Sequence, residues 1–470
     1  MTTSDTLSNK SGIAIRHSRI WRNETQRVAR FLKVKPRRRS ELGLMVVGIA
    51  VVISAMTLAS LAATNQIPPH VYVPIAIIIG VCVIIQIINR YLVPFADPVI
   101  MPITLVLNGM GWIMIKRLEP LAATSQLLWT VVGIGVYTLT LVFIRRSRDL
   151  DKYRYLIGFF AFFLLLTPLI PHFGYSVDGA RLWVRLSSTL EFQPVEIAKI
   201  LLVVFFASFF AEKKELFAIP TKRVGNVLLP DLRVLGPVAL AAGAALLIIL
   251  AEKDVGFSLI IFLVFLMMLW AASGRWGYVI IGVGLFGLAT FFAAHILGQI
   301  GGRFAVWIDP WKYYNTSGYY AGYQPVQGEL AFGRGGMFGS GLGLGLVHYI
   351  PNQGTTPLPV ATSDFIFAVF GEELGLVGTT ALMVGYVLII GAGLRAAARA
   401  KSDFTKLLCL GLILTFGLQT FFIMAGVTRL LPLTGVTLPL VSYGGSSLVA
   451  NYALIALLMR ISDETNTIAS

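Results

Sequence analysis

Long apolar runs alternate with short polar segments along most of this chain. Runs of about 17 residues or more can cross the ~30 Å hydrocarbon core of a bilayer as helices. Because lipid offers no partners to exposed backbone groups, helices are expected rather than open strands. The runs lie near residues 44–63, 71–89, 98–115, 127–144, 155–171, 195–211, 234–250, 256–272, 277–297, 364–394, 404–425 and 438–460. The pattern predicts an all-α, polytopic membrane helical bundle with about twelve transmembrane helices.

Two connections between the apolar runs are longer than the others, and both are predicted on the outer side. One covers residues 172–193, and the other is a long extracytoplasmic loop at 298–363. Loops of that length are usually functional or disordered, and the tyrosines and tryptophans of the second suit a membrane–water interface. Its segment "FGRGGMFGSGLGLG", residues 332–345, leaves two interpretations: a tightly packed loop, or a nest of backbone N–H groups for a pyrophosphate.

Composition and charge support a membrane protein. The chain is 56% hydrophobic and 13% charged, whereas charged residues make up roughly a quarter of soluble domains. Its net charge of +15 could suggest a nucleic-acid partner, but the basic residues concentrate in segments predicted to lie inside. Residues 1–43 are therefore expected to form a basic cytoplasmic arm on anionic membrane lipids. Residues 463–470 are expected to form a cytoplasmic tail.

Charged residues in or beside apolar helices are candidate functional residues. In "FQPVEIAKI", Glu196 and Lys199 are three positions apart on one helix face. They form either a structural ion pair or a polar cavity lining in which Lys199 attracts a phosphate. In "DGARLWVRL", Arg181 is a candidate for bidentate phosphate contact, with an ordinary surface arginine as the alternative.

The stretch "TSDFIFAVFGEELG", residues 362–375, holds three acids. Asp364 lies where the long loop re-enters the membrane, so a water-soluble head group could reach it and partial desolvation could make it a useful base. Glu372 and Glu373 point in other directions on a helix and are expected to pair with neighbouring helices. The histidines are dispersed, which leaves a three-ligand zinc site unsupported. Cys82 and Cys409 fall inside apolar runs and are expected to be packing residues.

Four segments, taken in order, resemble the successive motifs of the SEDS proteins, the group that contains RodA, FtsW and SpoVE. The segments are "FQPVEIAKI", "LAFGRGGMFGSGLG", "TSDFIFAVFGEELGLVG" and "LPLTGVTLPLVSYGGSS". The resemblance covers about residues 155–462. It implies a SEDS-like glycosyltransferase core at 97–462, preceded here by two additional transmembrane helices at 44–96.

The resemblance implies a peptidoglycan glycosyltransferase that polymerises lipid II at the outer face of a bacterial cytoplasmic membrane. It also implies a class B penicillin-binding protein as partner, and the two additional helices favour the RodA branch and a role in cell elongation and shape. The alternatives are a lipid II flippase, a division-specific FtsW-type polymerase, and a non-enzymatic scaffold for the penicillin-binding protein. Both termini are expected in the cytoplasm.

The resemblance also assigns candidate site residues. The family's catalytic aspartate matches Asp364, although Thr362 and Ser363 stand where members usually read His-Thr. The family's substrate-binding residues match Glu196, Lys199, Arg181 and Gln327, and Arg303 of the long loop is proposed beside them as a further cation. Positive charge from these residues, or from a divalent cation such as Mg²⁺ or Mn²⁺, is expected to offset the charge that develops on a leaving pyrophosphate.

Overall fold

A computed structural model describes most of the chain. The described residues are 38–64, 72–171, 173–177, 180–185, 191–215, 222–224, 227–229, 232–251, 254–296, 298–316, 321–346, 358 and 360–469. Most of the predicted basic arm therefore lies outside the described residues, as does part of the long loop.

Helices account for most of the described residues. They are α1 (Arg38–Thr64), α2 (Tyr72–Leu92), α3 (Ile100–Leu118), α4 (Pro120–Phe143), α5 (Arg154–Leu166), α6 (Val195–Glu212), α7 (Leu232–Ala251), α8 (Val255–Ser273), α9 (Trp276–Ile296), α10 (Gly298–Ile308), α11 (Tyr323–Gly335), α12 (Ile366–Arg399), α13 (Asp403–Val427) and α14 (Gly445–Ala469). Short 3₁₀ turns at Ser147–Tyr153 and Thr167–Leu169 flank α5.

Each of the predicted apolar runs coincides with a helix. Within the described part of the chain, eight helices are long and apolar enough to cross a membrane, and α7 and α9 contain shorter apolar stretches, Ala242–Ala251 and Trp276–Phe292. The polytopic helical fold is confirmed. The chain is a multi-pass membrane protein.

The helices differ strongly in how much of their surface other helices cover. In the most apolar 18-residue stretch of each helix, 83% of the residues of α14 and 72% of those of α13 are buried inside the protein. In α2 the share is only 17%. The central helices α13 and α14 therefore form the protein core, and the lipid-facing helices can remain apolar on their outward sides because their solvent is hydrocarbon.

Two small sheets, which the sequence analysis did not predict, lie among the connections. Strands β1 (Gly174–Val177), β2 (Ala180–Arg185) and β3 (Glu191–Phe192) pair antiparallel in that order. Strands β4 (Lys222–Val224) and β5 (Val227–Leu229) form a separate hairpin. An Asp-Gly pair between alternating residues is a hairpin signal, and "VDGAR" carries it between β1 and β2.

The prediction for the last span, 438–460, is wrong at its beginning, because α14 begins only at Gly445. Residues 428–444, here called the motif loop, connect α13 to α14 without helix or strand. Helices around the loop satisfy its carbonyl groups: Asn108 donates to Leu440 O at 3.3 Å, Gln126 to Ser442 O at 3.2 Å and Tyr386 to Pro439 O at 2.7 Å. Irregular backbone is tolerated at membrane depth when protein surrounds it, so the stretch 438–441 is apolar because helices bury it.

The first helix docks on the rest of the bundle through glycines. A β-carbon at Gly48 of α1 would lie 2.6 Å from Val106, and one at Gly109 of α3 would lie 2.8 Å from Val52. At the other terminus, residues 463–469, predicted as a tail, continue α14. Their first side chain, Asp463, accepts a hydrogen bond from Phe95 N at 2.7 Å.

Candidate active site

The segment that carries Asp364 is fixed by the motif loop. Tyr443 N donates to Thr362 O at 2.8 Å, and the Ser442 hydroxyl donates to Ser363 O at 2.6 Å. Asp364 itself is half-buried, whereas the next residue, Phe365, is fully buried and begins the approach to α12. The aspartate is therefore held at the boundary between the packed protein and its surroundings.

Arg303 and Asp364 face each other across one glycine of the motif loop. A β-carbon built on Gly435 would lie 3.7 Å from Nη2 of Arg303 and 3.8 Å from Oδ2 of Asp364. Gly435 is exposed and has φ 71°, a backbone conformation that residues other than glycine rarely adopt. A small group placed above this glycine would touch both charged side chains.

Arg303 belongs to α10, and it also holds the motif loop in place. Its Nη1 donates to Thr434 O at 3.1 Å and to Leu433 O at 3.4 Å. One turn further along α10, the Trp307 indole donates to Arg429 O at 3.1 Å. The long connection between α9 and α12 is thus docked on the motif loop by α10, which brings a cation predicted from sequence next to the predicted aspartate.

A second carboxyl group, Asp254, lies within electrostatic reach of Arg303. Asp254 directly precedes α8 and caps it, accepting a hydrogen bond from Phe257 N at 2.9 Å. Burial raises the pKa of Asp254 to about 6, while the hydrogen bond from Phe257 and the charge of Arg303 act in the opposite direction. Its place as a helix cap gives Asp254 a structural role.

Glu196 and Lys199 form an ion pair inside the protein. The exposed fractions of their side chains are 0% and 1%. Lys199 also donates to Oε1 of Gln419 at 2.6 Å, and Gln419 donates to Thr437 O in the motif loop at 3.0 Å. The pair therefore links α6 to α13. Through Gln419 it also reaches the motif loop at Thr437, two residues after Gly435. Of the two predicted roles, this geometry favours the structural one.

Gln327 and Arg181 are the remaining predicted site residues. Gln327 of α11 donates to the Tyr314 hydroxyl at 3.2 Å, and the neighbouring Gly328 lies against the Phe365 ring, since a β-carbon there would be 3.0 Å from it. Arg181 belongs to β2, but its side chain lies outside the described part of the structure. Its strand neighbour Arg185 pairs with Glu191 at 3.0 Å.

Glu372 and Glu373 do not join Asp364. Glu372 accepts from Arg334 Nε at 2.7 Å and from Leu346 N at 3.1 Å. Glu373 forms a salt bridge with Arg117 and accepts from Gly343 N at 2.8 Å. The prediction that these glutamates pair with neighbouring groups is confirmed. They also occupy backbone N–H groups of the glycine-rich segment, which favours the tightly packed loop over a pyrophosphate nest.

This glycine loop, residues 336–346, fills a break in α12. Gly375 has φ 64° and ψ −163°, which interrupts the helix. The freed N–H groups of Leu376 and Val377 donate to Gly336 O and Met337 O at 3.0 and 3.1 Å. On the other side of the break, Glu372 O and Glu373 O accept from Ser340 N and Gly341 N at 2.9 and 3.0 Å. The loop thus supplies the hydrogen bonds that the broken helix lacks.

We expect Gly375→Ala to destabilise the protein strongly. The new β-carbon would lie 2.3 Å from Gly339 N and 2.6 Å from Met337 O, on a backbone with positive φ. A cost of about 2 kcal/mol or more follows from strain and overlap together, and thermal unfolding of the purified protein in detergent measures it. Gly391→Ala in the same helix is the matched control, because the nearest atom would be 3.9 Å away. An unchanged melting temperature for Gly375→Ala would contradict the assigned break.

Sequence reasoning missed three residues of this region. Gly435 stands in the long C-terminal motif, and its position between Asp364 and Arg303 depends on tertiary structure. Gln419 is an uncharged polar residue in an apolar helix, a signal that could have indicated a buried partner. Gly375 follows two adjacent glutamates, and a glycine within a helical pattern is a possible break.

The described residues include no group of three or more His, Cys, Asp or Glu side chains that could hold a metal ion. Cys82 and Cys409 are buried and unpaired, as expected for packing residues.

Comparisons with known proteins agree with these features. A family model for FtsW, RodA and SpoVE, described as "Cell cycle protein", matches residues 98–467. The Mycobacterium tuberculosis protein named "Peptidoglycan glycosyltransferase RodA" is 39% identical over 384 residues, which is 79% of each chain. A "Probable peptidoglycan glycosyltransferase FtsW" from Geobacter sulfurreducens is 33% identical over 387 residues, 80% of this chain and 96% of that protein.

A solved structure shares the fold. It was reported under the words "Structural coordination of polymerization and crosslinking by a peptidoglycan synthase complex", and the matched chain is 22% identical with a TM-score of 0.60. The match covers 79% of this chain and 98% of that one. Helices α1 and α2 precede the residues that the family model matches.

Proposed function

The chain belongs to the FtsW/RodA/SpoVE family, and on that premise we propose that it is a peptidoglycan glycosyltransferase that polymerises lipid II into glycan strands. One observation carries the proposal: the carboxylate of Asp364 and the guanidinium of Arg303 flank the exposed Gly435. A base and a cation that are both reachable from one point suit a displacement in which a proton is removed and an anion leaves.

The proposed reaction is a single displacement at an anomeric carbon. The 4-hydroxyl oxygen of the acceptor sugar attacks the carbon that carries the lipid pyrophosphate, and its proton passes to Asp364. A new glycosidic bond forms as the carbon–oxygen bond to the pyrophosphate breaks, and the lipid pyrophosphate departs with the electron pair. The configuration inverts, so one base is sufficient.

The other residues have supporting roles in this proposal. Arg303 stabilises the charge on the departing pyrophosphate and also holds Leu433 and Thr434 of the motif loop. Glu196 and Lys199 hold the loop from beneath through Gln419. We assign substrate contacts to Gln327 and Arg181 at the periphery. A divalent cation such as Mg²⁺ or Mn²⁺ would add positive charge at the substrate's phosphates.

A reconstituted polymerisation assay tests the proposal. The purified full chain is incubated with lipid II in detergent, with and without Mg²⁺ or Mn²⁺, and glycan chains are separated on a gel. In detergent there is no second compartment to which lipid II could be moved. Polymer formation under these conditions therefore supports a glycosyltransferase. If the protein instead moves lipid II across vesicle membranes and makes no polymer under any condition, it is a flippase and the proposal fails.

We further propose that the active site faces outward from a bacterial cytoplasmic membrane and that both termini are cytoplasmic. The relative at 39% identity is named RodA, which favours cell elongation and shape over the division role of FtsW. A class B penicillin-binding protein is the proposed partner, because the structural neighbour belongs to a complex for polymerization and crosslinking. Co-purification with that class of protein, and a faster polymerisation rate in its presence, would support the pairing.

We expect Arg303→Gln to lower the rate of polymerisation by about tenfold to 100-fold, because it removes a cation aimed at the departing charge and loosens the motif loop. The effect should fall mainly on kcat. Lys312→Gln is the matched control, since Lys312 belongs to the same connection and is exposed near Tyr313. Equal rates for Arg303→Gln and Lys312→Gln would remove Arg303 from the proposed site.

A further inference from the structure

A basic cavity lies at the end of the bundle opposite to Asp364. It has a volume of about 620 Å³ and is lined by the connection after α4, the connection after α12 and the end of α14. Helix α12 begins two residues after Asp364 and is 34 residues long. The part of α12 after its break at Gly375, residues 376–399, spans roughly 36 Å at ~1.5 Å per residue, so the cavity is remote from the proposed active site.

Four cationic side chains line this cavity: Arg145, Arg146, Arg148 and Lys401. Within the described part of the chain, none of them takes part in a salt bridge, whereas Lys152 of the same connection pairs with Asp149 at 2.8 Å. Like charges that surround one cavity without salt bridges repel one another, and an anion in the cavity would relieve that repulsion.

Two carboxylates also line the cavity, and both are engaged by the protein. Glu464 accepts hydrogen bonds from Ser147 N at 2.6 Å and from the Ser147 hydroxyl at 2.5 Å. Asp463 accepts from Phe95 N and lies 3.8 Å from Arg460. The carboxylates therefore fix the cavity wall, and the four cations face only two acids, both of which are already bound to other groups of the protein.

The surface next to the cavity is apolar and faces outward. The last turns of α4 expose Leu139, Val142 and Phe143, with exposed fractions of 54%, 42% and 79%. These residues lie directly before Arg145 and Arg146. An amphipathic anion, with acyl chains against α4 and phosphate among the arginines, fits this arrangement better than a free phosphate, which would use only the basic part.

We propose that this cavity is a binding site for the phosphate-bearing headgroup of an anionic phospholipid. Arginine suits phosphate because its planar guanidinium donates two parallel hydrogen bonds. A bound headgroup would tie together the ends of α4, α12 and α14. Binding should therefore raise the melting temperature of the protein, and this effect does not depend on catalytic activity.

The test compares lipid binding by the purified full chain and by charge variants, using native mass spectrometry and thermal unfolding in detergent. Cardiolipin is the anionic probe, phosphatidylcholine the zwitterionic control and inorganic pyrophosphate the soluble anion. We expect Arg145→Gln with Arg148→Gln to weaken cardiolipin binding by about tenfold and to abolish its effect on the melting temperature. Lys401→Gln, from the other side of the cavity, should weaken it in the same direction. Lys152→Gln, a paired lysine of the same connection, should bind as the wild type does.

The outcomes separate the possibilities. Equal cardiolipin binding by wild type and by the double arginine variant would overturn the proposal. So would an equal loss in Lys152→Gln, which would indicate diffuse attraction to the whole basic surface. If pyrophosphate raises the melting temperature as much as cardiolipin, with the same dependence on Arg145 and Arg148, the anion site stands and its ligand is a soluble phosphate rather than a lipid.

Discussion

Asp364→Asn should abolish polymerisation of lipid II, with a rate reduced by about 100-fold to 10,000-fold. The amide has nearly the shape of the carboxylate but cannot accept the proton of the acceptor hydroxyl. The side chain is half-buried at a position that the motif loop holds through Thr362 O and Ser363 O, and those two contacts use backbone atoms that the substitution leaves in place. The melting temperature and lipid II binding should therefore change little.

Asp309→Asn provides the matched control for this experiment. Asp309 follows α10 in the same connection, is exposed, and accepts a hydrogen bond from Lys312 N at 3.2 Å. The same loss of one carboxylate there should leave the rate within about twofold of the wild type, as is usual for surface changes. Normal glycan synthesis by Asp364→Asn would refute the assigned base, and it would favour a scaffold role if cells carrying the variant also grew normally.

The helical architecture was predictable because lipid imposes a simple rule on the sequence. Each apolar run had to form a helix to satisfy its backbone groups, and each predicted run coincides with one. The exception, residues 438–444, shows the limit of that rule. Leu438, Leu440 and Val441 are apolar because other helices bury them, and hydropathy alone does not distinguish burial by protein from burial by lipid.

The candidate site was predictable in its parts but not in its arrangement. Asp364 stood out as a charge beside an apolar segment, and Arg303 was one of the proposed substrate-binding residues. They are 61 positions apart, and only the docking of α10 on the motif loop brings them to Gly435. Conversely, Glu196 and Lys199 stood out for the same reason but are buried beneath the loop. A charge in an apolar helix signals a partner, and the sequence does not show whether that partner is a substrate or another side chain.

The ion pair and the glycine loop support the site from two sides. Glu196 and Lys199 reach the motif loop through Gln419 and Thr437, while Glu372 and Glu373 hold the glycine loop in the break of α12. The glycine loop also touches α1, since a β-carbon at Gly343 would lie 2.8 Å from Ala59 O. A helix outside the family match thus contacts the loop that completes the helix after Asp364.

Lys199→Met should destabilise the protein by about 3 kcal/mol or more, because it leaves the carboxylate of Glu196 buried without its partner. The exposed fraction of Glu196 is 0%, and its Oε1 has no hydrogen-bond partner among the described residues, so water offers no compensation. Thermal unfolding in detergent measures the loss. A second variant, Lys199→Met combined with Glu196→Gln, removes both charges and should recover most of the melting temperature.

Activity then separates the two roles that the sequence left open for Lys199. If the pair is structural, the double variant should recover polymerisation together with stability, because no buried charge is left unpaired and Gln419 still donates to Thr437 O in the motif loop. The matched control is Lys214→Met, which breaks an exposed pair with Asp403 and should cost less than about 1 kcal/mol. A double variant that is as stable as the wild type but inactive would instead indicate that Lys199 acts on the substrate's phosphates, contrary to the structural role assigned here.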